Sequence, residues 1–232
     1  GSNAFAAALR PVRGDWADWR SGARTAWEAG FDLPPLPSPV DMGLAMAHIR
    51  EVLPGDAILT NGAGNFTAWP NKFYKFGPGA RLLAPQSGAM GYGLPAAIAA
   101  KVADPGRMVI CFAGDGDFQM NCQELATAAQ YDAQPIVLLL NNGIYGTIRA
   151  HQERNYPGRV SGTDMVSPDF VMLAQAYGYH AERVARTEDF AAAFARAQAS
   201  RSGAVLELDI SPEALTPRQT LTQMRNAALA AK

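Results

Sequence analysis

"RMVICFAGDGDFQMN" spans residues 107–121 and "PIVLLLNNGIYGTIR" spans residues 135–149. Each is a short apolar run that breaks off into glycine and acid or amide side chains. Runs this short and this uniformly apolar suit strands buried on both faces of a parallel sheet. Glycine directly after such a strand lets the backbone turn sharply and lets a ligand come close. Between Asp115 and Asn142 there is room for one helix and one strand. The two residues are therefore expected to end neighbouring strands and to face one crevice.

Four further apolar runs flank this pair: "AILTNG" at 57–62, "RLLAP" at 81–85, "YHAERV" at 179–184 and "AVLELDI" at 204–210. Helical patterns separate them, so the expected fold is α/β, a parallel sheet of about six strands covered by helices on both faces. Ser38, Pro39 and Asp41 read as an N-cap, a first-turn proline and a first-turn acid, which starts a helix running to about Leu53. Ser167-Pro168-Asp169 and Thr187-Glu188-Asp189 carry similar helix-start signals. Residues 1–37 read as a lead-in: "GSNA" resembles a tag remnant, a Trp-rich helix covers Asp15 to Glu28, and "LPPLPSPV" favours extended chain. The expected domain is 38–232, and the chain reads as a piece of a longer protein.

A formal net charge of −1 with 18% charged residues gives no electrostatic case for nucleic acid or an anionic membrane. Apolar stretches such as "IVLLL" fall far short of the ~20 residues that span a bilayer. Cys111 and Cys122 lack metal-ligand or disulfide spacing, which suits reduced thiols in a cytoplasmic protein. His48 and His180 read as structural. His151 follows the second glycine turn closely enough to face a substrate.

In sheets of this kind, ligands bind beyond the carboxyl ends of the strands. A lone Gly-Asp-Gly is an ordinary turn, but a second strand ending at Asn141-Asn142 adds oxygen donors. Mg²⁺ prefers octahedral oxygen and commonly keeps substrate phosphates in its shell. Asp115 offers a carboxylate oxygen, Asn142 an amide oxygen, and the turn after it a backbone carbonyl.

Gly-Asp-Gly followed at this interval by Asn-Asn is similar to the signature of thiamine-diphosphate-dependent enzymes. The resemblance implies the thiamine-diphosphate-binding fold, with Asp115, the Asn142 side chain and the Ile144 carbonyl as Mg²⁺ ligands. It implies that the diphosphate sits on Gly116, Asp117, Tyr145, Gly146 and Thr147, at loop ends and helix N-termini that suit an anion. "SGAMGYGLPAAIAA" at 87–100 resembles the segment of the acetolactate synthase (acetohydroxyacid synthase) group that holds the aminopyrimidine. There Met90 would be an apolar wedge under the cofactor and Gly88 would offer its carbonyl to the 4′-amino group. "NGAGNF" at 61–66 resembles that group's diphosphate loop through Gly64, Asn65 and Phe66, and it lacks the third glycine of a dinucleotide fingerprint. The resemblance covers about residues 38–230.

By this resemblance the intact protein is a transferase acting on 2-oxo acids, with carboligation of pyruvate as in acetolactate synthase. Decarboxylation of the benzoylformate type stays open, because "NNGIYGTIR" also resembles that turn and His151 stands where the first group places a tryptophan. A natural stand-alone cofactor-binding subunit is a third reading. The group activates its cofactor with a glutamate from a separate pyrimidine-binding domain, contributed by the neighbouring subunit of a homo-oligomer such as a homodimer. None of the glutamates here has that context, so the isolated chain is expected to be inactive.

Overall fold

A computed structural model describes residues 2–9 and 14–231. Gly1 and residues 10–13, which belong to the expected tag remnant and lead-in, and Lys232 lie outside the described residues. The chain divides into one unit ending at Leu33 and a second starting at Pro34. The first holds α1 (Ser2–Ala8) and α2 (Ala17–Ala29). No residue of α2 is buried; its Arg24 pairs with Glu28 at 2.6 Å and lies over the Trp27 ring at 4.3 Å.

The second unit opens with α3 (Met42–Val52), β1 (Ile58–Asn61), α4 (Ala68–Phe73), β2 (Arg81–Leu83) and α5 (Gly93–Ala103). β3 (Val109–Gly114), α6 (Asp115–Phe118), α7 (Glu124–Gln130), β4 (Ile136–Asn141) and α8 (Gly146–Asn155) follow. α9 (Phe170–Ala176), β5 (His180–Val184), α10 (Phe190–Ala199), β6 (Ala204–Asp209) and α11 (Leu221–Ala230) complete it. All six strands expected from the apolar runs form one parallel sheet, in the order β2-β1-β3-β4-β6-β5.

Side chains alternate along each strand, which divides the apolar runs between two cores. Cys111, Ala113, Val137, Leu139 and Val205 face α5, α7 and α9, meeting Leu94, Ala97, Leu125, Ala128, Phe170 and Ala174. Burying each such Leu or Val contributes about 1.5–3 kcal/mol relative to exposure. Ile110, Phe112, Leu138 and Leu206 are equally buried and point to the opposite face, where α10 packs on β5 and β6. His48 of α3 lies edge-on to Phe190 and Phe194 of α10, each at 6.1 Å, as a structural histidine would. His180 pairs with Glu182 at 2.9 Å, and Arg196 grips the same carboxylate. Burial pushes the Cys111 thiol up to about 12, so it stays protonated and inert.

One helix start differs from expectation. Asp41, not Ser38, is the N-cap of α3, its carboxylate accepting from Gly43 N at 2.7 Å and Leu44 N at 3.3 Å. Val40 intervenes, fully buried, with its own N–H donated to Asp209 O at 3.1 Å, and the chain bends at Pro39 and Val40 before the helix starts. Ser38 Oγ instead accepts from Ser211 N at 3.1 Å. The other two signals behave as read: Asp169 caps α9 through Met172 N at 2.8 Å, and Thr187–Asp189 forms a short 3₁₀ turn leading into α10.

Candidate functional site

β1, β3 and β4 are neighbours, and the chain leaves β1 and β3 toward opposite edges of the sheet. The loops part at such a switch point and open a crevice at the carboxyl ends of the strands. A cleft lies here. Gly64, Asn65 and Phe66 reach it after β1, Met90 from the approach to α5, and Asp115, Gly116 and Asp117 after β3. Asn142, Ile144, Tyr145, Gly146 and Thr147 reach it after β4.

Two residues singled out from the sequence do not line this cleft. Gly88 stands two residues before Met90 with φ +66°, a left-handed conformation that favours glycine. His151 is exposed on α8, one helical turn beyond Ile148, which does reach the cleft. Sequence reading missed Trp69, Leu140, Ile148, Ile210, Ala214 and Leu215 on the cleft wall. The strand-end rule, applied to β6 as it was to the other strands, would have pointed to Ile210. Trp69 and Leu215 carry no comparable local signal.

Asp115 is only 4% exposed and Asp117 only 3%. Asp115 Oδ1 accepts from Gly116 N at 2.8 Å and its Oδ2 from Gly143 N at 2.7 Å, so the carboxylate ties the ends of β3 and β4 together. Asn142 Oδ1 accepts from Ile144 N at 3.1 Å, an Asx turn that fixes the amide beside Asp115. Asp117 Oδ1 accepts from Ala63 N at 3.0 Å and Gly91 N at 2.9 Å, joining the β1 loop to the loop that carries Met90. Burial pushes both carboxyls above the usual range, and the N–H bonds pull them back only in part. Among the described residues neither acid is paired with a basic side chain.

The opposite wall is built of donors. Tyr145 caps α8 without a side-chain hydrogen bond, and the first-turn N–H groups of any helix lack intrahelical partners. Gly146 and Thr147 bring that turn to the cleft. Thr147 Oγ1 donates to Asn65 Oδ1 at 3.0 Å, and the Asn65 Nδ2 is buried with no hydrogen-bond partner among the described residues. Gly116 is required for closeness: a Cβ there would meet Tyr145 Cε1 at 2.9 Å and the Met165 sulfur at 3.1 Å. Asp115, Asp117 and the first turn of α8 thus line one cleft.

Residues 62–208 match the family described as "Thiamine pyrophosphate enzyme, C-terminal TPP binding domain". The chain belongs to this thiamine pyrophosphate enzyme family. It is 41% identical over 135 residues to the acetolactate synthase large subunit of Cyanidium caldarium, covering 57% of this chain and 23% of that protein. Against acetolactate synthase isozyme 3 large subunit of Escherichia coli (strain K12), identity is 43% over 127 residues, 54% of this chain and 22% of the relative. The large subunit of Lactococcus lactis subsp. lactis (strain IL1403) is 37% identical over 173 residues, 73% of this chain and 30% of its own length. The chain thus matches about a quarter of the length of these relatives. Within this thiamine pyrophosphate-binding domain, the loops after β1, β3 and β4 all fall inside the matched span, whereas Ile210, Ala214 and Leu215 lie beyond it. Among the described residues no helix is long and apolar enough to cross a membrane.

Proposed function

We propose that the cleft binds thiamine diphosphate with Mg²⁺, the cation held by Asp115, the Asn142 side chain and the Ile144 carbonyl. The observation that carries this is the buried Asp115 carboxylate fixed to the turn after Asn142, in one cleft with an Asn65 Nδ2 that lacks a partner among the described residues. The residues fit the group. A buried acid without a basic partner suits a divalent cation, and an orphaned amide beside open helix N–H groups suits phosphate oxygens. Gly116, Tyr145, Gly146, Thr147, Gly64 and Asn65 would cradle the diphosphate, and Phe66 would pack against it. Asp117, whose carboxylate is engaged by two backbone N–H groups, would contribute its backbone. Met90 would support the ring system and Gly88 would approach it by its carbonyl.

When bound, thiamine diphosphate supplies the electron sink that decarboxylation of a 2-oxo acid requires. The residues of this chain would bind and orient it, and the apolar side chains of Leu140, Ile144 and Leu215 in the cleft lining would help to keep water out. The glutamate that activates the pyrimidine would come from a second domain in a homo-oligomer. The substrate would then be a small 2-oxo acid and the reaction carboligation of pyruvate; the relatives carry the name acetolactate synthase. His151, one turn from Ile148 but outside the cleft lining, would contact only a substrate that extends beyond Ile148. Supplying pyruvate to the full-length enzyme and separating the products tests this. Acetolactate as the main product supports the reading; acetaldehyde alone, or turnover only of an aryl 2-oxo acid, replaces it with a decarboxylase.

A further inference from the structure

Glu207 sits in the middle of β6 with 6% of its surface exposed, on the sheet face that Val205 and Leu139 fill with hydrocarbon. It also borders an open pocket that Asn141, Asp169 and Arg183 line, and a mostly buried carboxylate there is stabilised by a hydrogen-bond donor. Its register neighbour on β4 is Leu139, and the next residue on the same face of β4 is Asn141. Asn141 Nδ2 donates to Glu207 Oε1 at 2.7 Å. Arg183, opposite Glu207 on β5, directs its guanidinium to Asp209 at 2.7 Å.

The amide of Asn141 is planar, so anchoring Nδ2 also aims Oδ1. Oδ1 accepts from Gly143 N at 3.2 Å, and the same N–H reaches Asp115 Oδ2 at 2.7 Å. One backbone N–H is thus shared between the side chain that Glu207 orients and the carboxylate at the end of β3. Gly143 has φ +67°, a conformation glycine adopts freely and from which it can as easily depart, so the turn needs an external hold. Glu207 does not line the cleft.

We propose that Glu207 is a positioning residue for the cation site. It orients Asn141, Asn141 holds the Gly143 N–H toward Asp115, and the turn bearing Asn142 and Ile144 is set as a result. A conservative glutamine keeps an acceptor for Asn141 Nδ2; a leucine does not. The importance of this hold for cation binding rests on the reading of Asp115 and Asn142 as ligands, whereas its effect on the turn does not.

Two measurements on the 232-residue chain separate these levels. Hydrogen exchange of the Gly143 amide, followed by NMR after removal of divalent ions, reads the turn directly. Calorimetric titration of Mg²⁺ at saturating thiamine diphosphate reads the site. Glu207→Leu should speed Gly143 exchange about tenfold and weaken Mg²⁺ binding by a similar factor, the loss expected for one charge-assisted hydrogen bond. Glu207→Gln should stay within about threefold of wild type on both, since the bond persists in neutral form. Asn141→Ala should match Glu207→Leu, and the double variant should be no worse than either single one. Unchanged Gly143 exchange in Glu207→Leu, loss in Glu207→Gln equal to that in Glu207→Leu, or additive losses in the double variant would overturn the proposal. If Glu207→Leu does not fold, unchanged exchange in Asn141→Ala overturns it alone. A wild-type chain that binds no Mg²⁺ while the exchange pattern follows expectation refutes the cation reading and leaves the positioning role standing.

Discussion

The backbone N–H of Gly143 donates to Asp115 Oδ2 at 2.7 Å, so the first residue after β3 and the turn after β4 are held as one unit. Gly143→Ala places its new Cβ in open space but keeps φ near +67°. The cost should be backbone strain alone, about 1–2 kcal/mol by urea unfolding. Gly143→Pro removes the N–H as well as forbidding the conformation. That variant should lose cofactor-linked Mg²⁺ binding even where it still folds, and binding as tight as wild type would detach the turn from the site.

Asn65 offers a second test because its buried Nδ2 lacks a partner among the described residues while its Oδ1 is engaged by Thr147. An unsatisfied buried donor costs about 1–3 kcal/mol. Asn65→Leu should therefore leave the stability of the cofactor-free chain unchanged or raise it, while weakening thiamine diphosphate binding. Thermal unfolding with and without the cofactor gives both values. Lower stability without cofactor and unchanged affinity would mean that the amide serves only the fold.

Asp117 grips two loops with one oxygen, through Ala63 N and Gly91 N, and Asn121 Nδ2 holds the Gly91 carbonyl at 2.9 Å from the other side. Asp117→Asn keeps an oxygen acceptor and should cost little. Asp117→Ala leaves two N–H groups bereft and should cost about 1–3 kcal/mol, with Met90 losing its fixed place in the cleft. Gly62→Ala should be worse, since its Cβ would stand 1.9 Å from the Asp117 carboxylate. Chemical denaturation of the three variants orders them.

Acid should loosen the C-terminal helix early. Arg225 of α11 holds the fully buried Glu153 of α8, and this hydrogen bond is the main reason the Glu153 carboxyl lies below its usual range. A carboxyl depressed in the fold contributes stability that is present above its unfolded range and lost as pH falls through its lower folded value. Hydrogen exchange of α11 should accordingly rise below the ordinary glutamate range. Glu153→Gln should flatten that dependence and cost about 1–2 kcal/mol at neutral pH, a figure discounted for the partial exposure of Arg225. An unaltered pH profile in the variant would assign the acid sensitivity to other groups.

Much of this architecture was legible because it is written locally. Six apolar runs became six parallel strands, and the strand-end rule located nearly all of the cleft's polar residues. Three kinds of feature were not. The cap of α3 moved from Ser38 to Asp41 because a tertiary bond from Val40 N to Asp209 O ties Val40 to β6 ahead of the first helical turn. Trp69 and Leu215 reach the cleft through packing between segments far apart in sequence, which no local pattern encodes. The partners of Glu207 and Asp117 depend on register between strands and on loop closure, so their sequence neighbourhoods look like an ordinary strand and an ordinary turn.

Asp115 is proposed to hold a divalent cation against thiamine diphosphate. Calorimetric titration of the chain with thiamine diphosphate at saturating Mg²⁺, wild type against Asp115→Ala, tests it most directly. Loss of one oxygen ligand should weaken binding at least about tenfold, or 1.4 kcal/mol, and binding should lapse when Mg²⁺ is chelated. Equal affinity in Asp115→Ala, with Mg²⁺ present or withdrawn, would contradict the account.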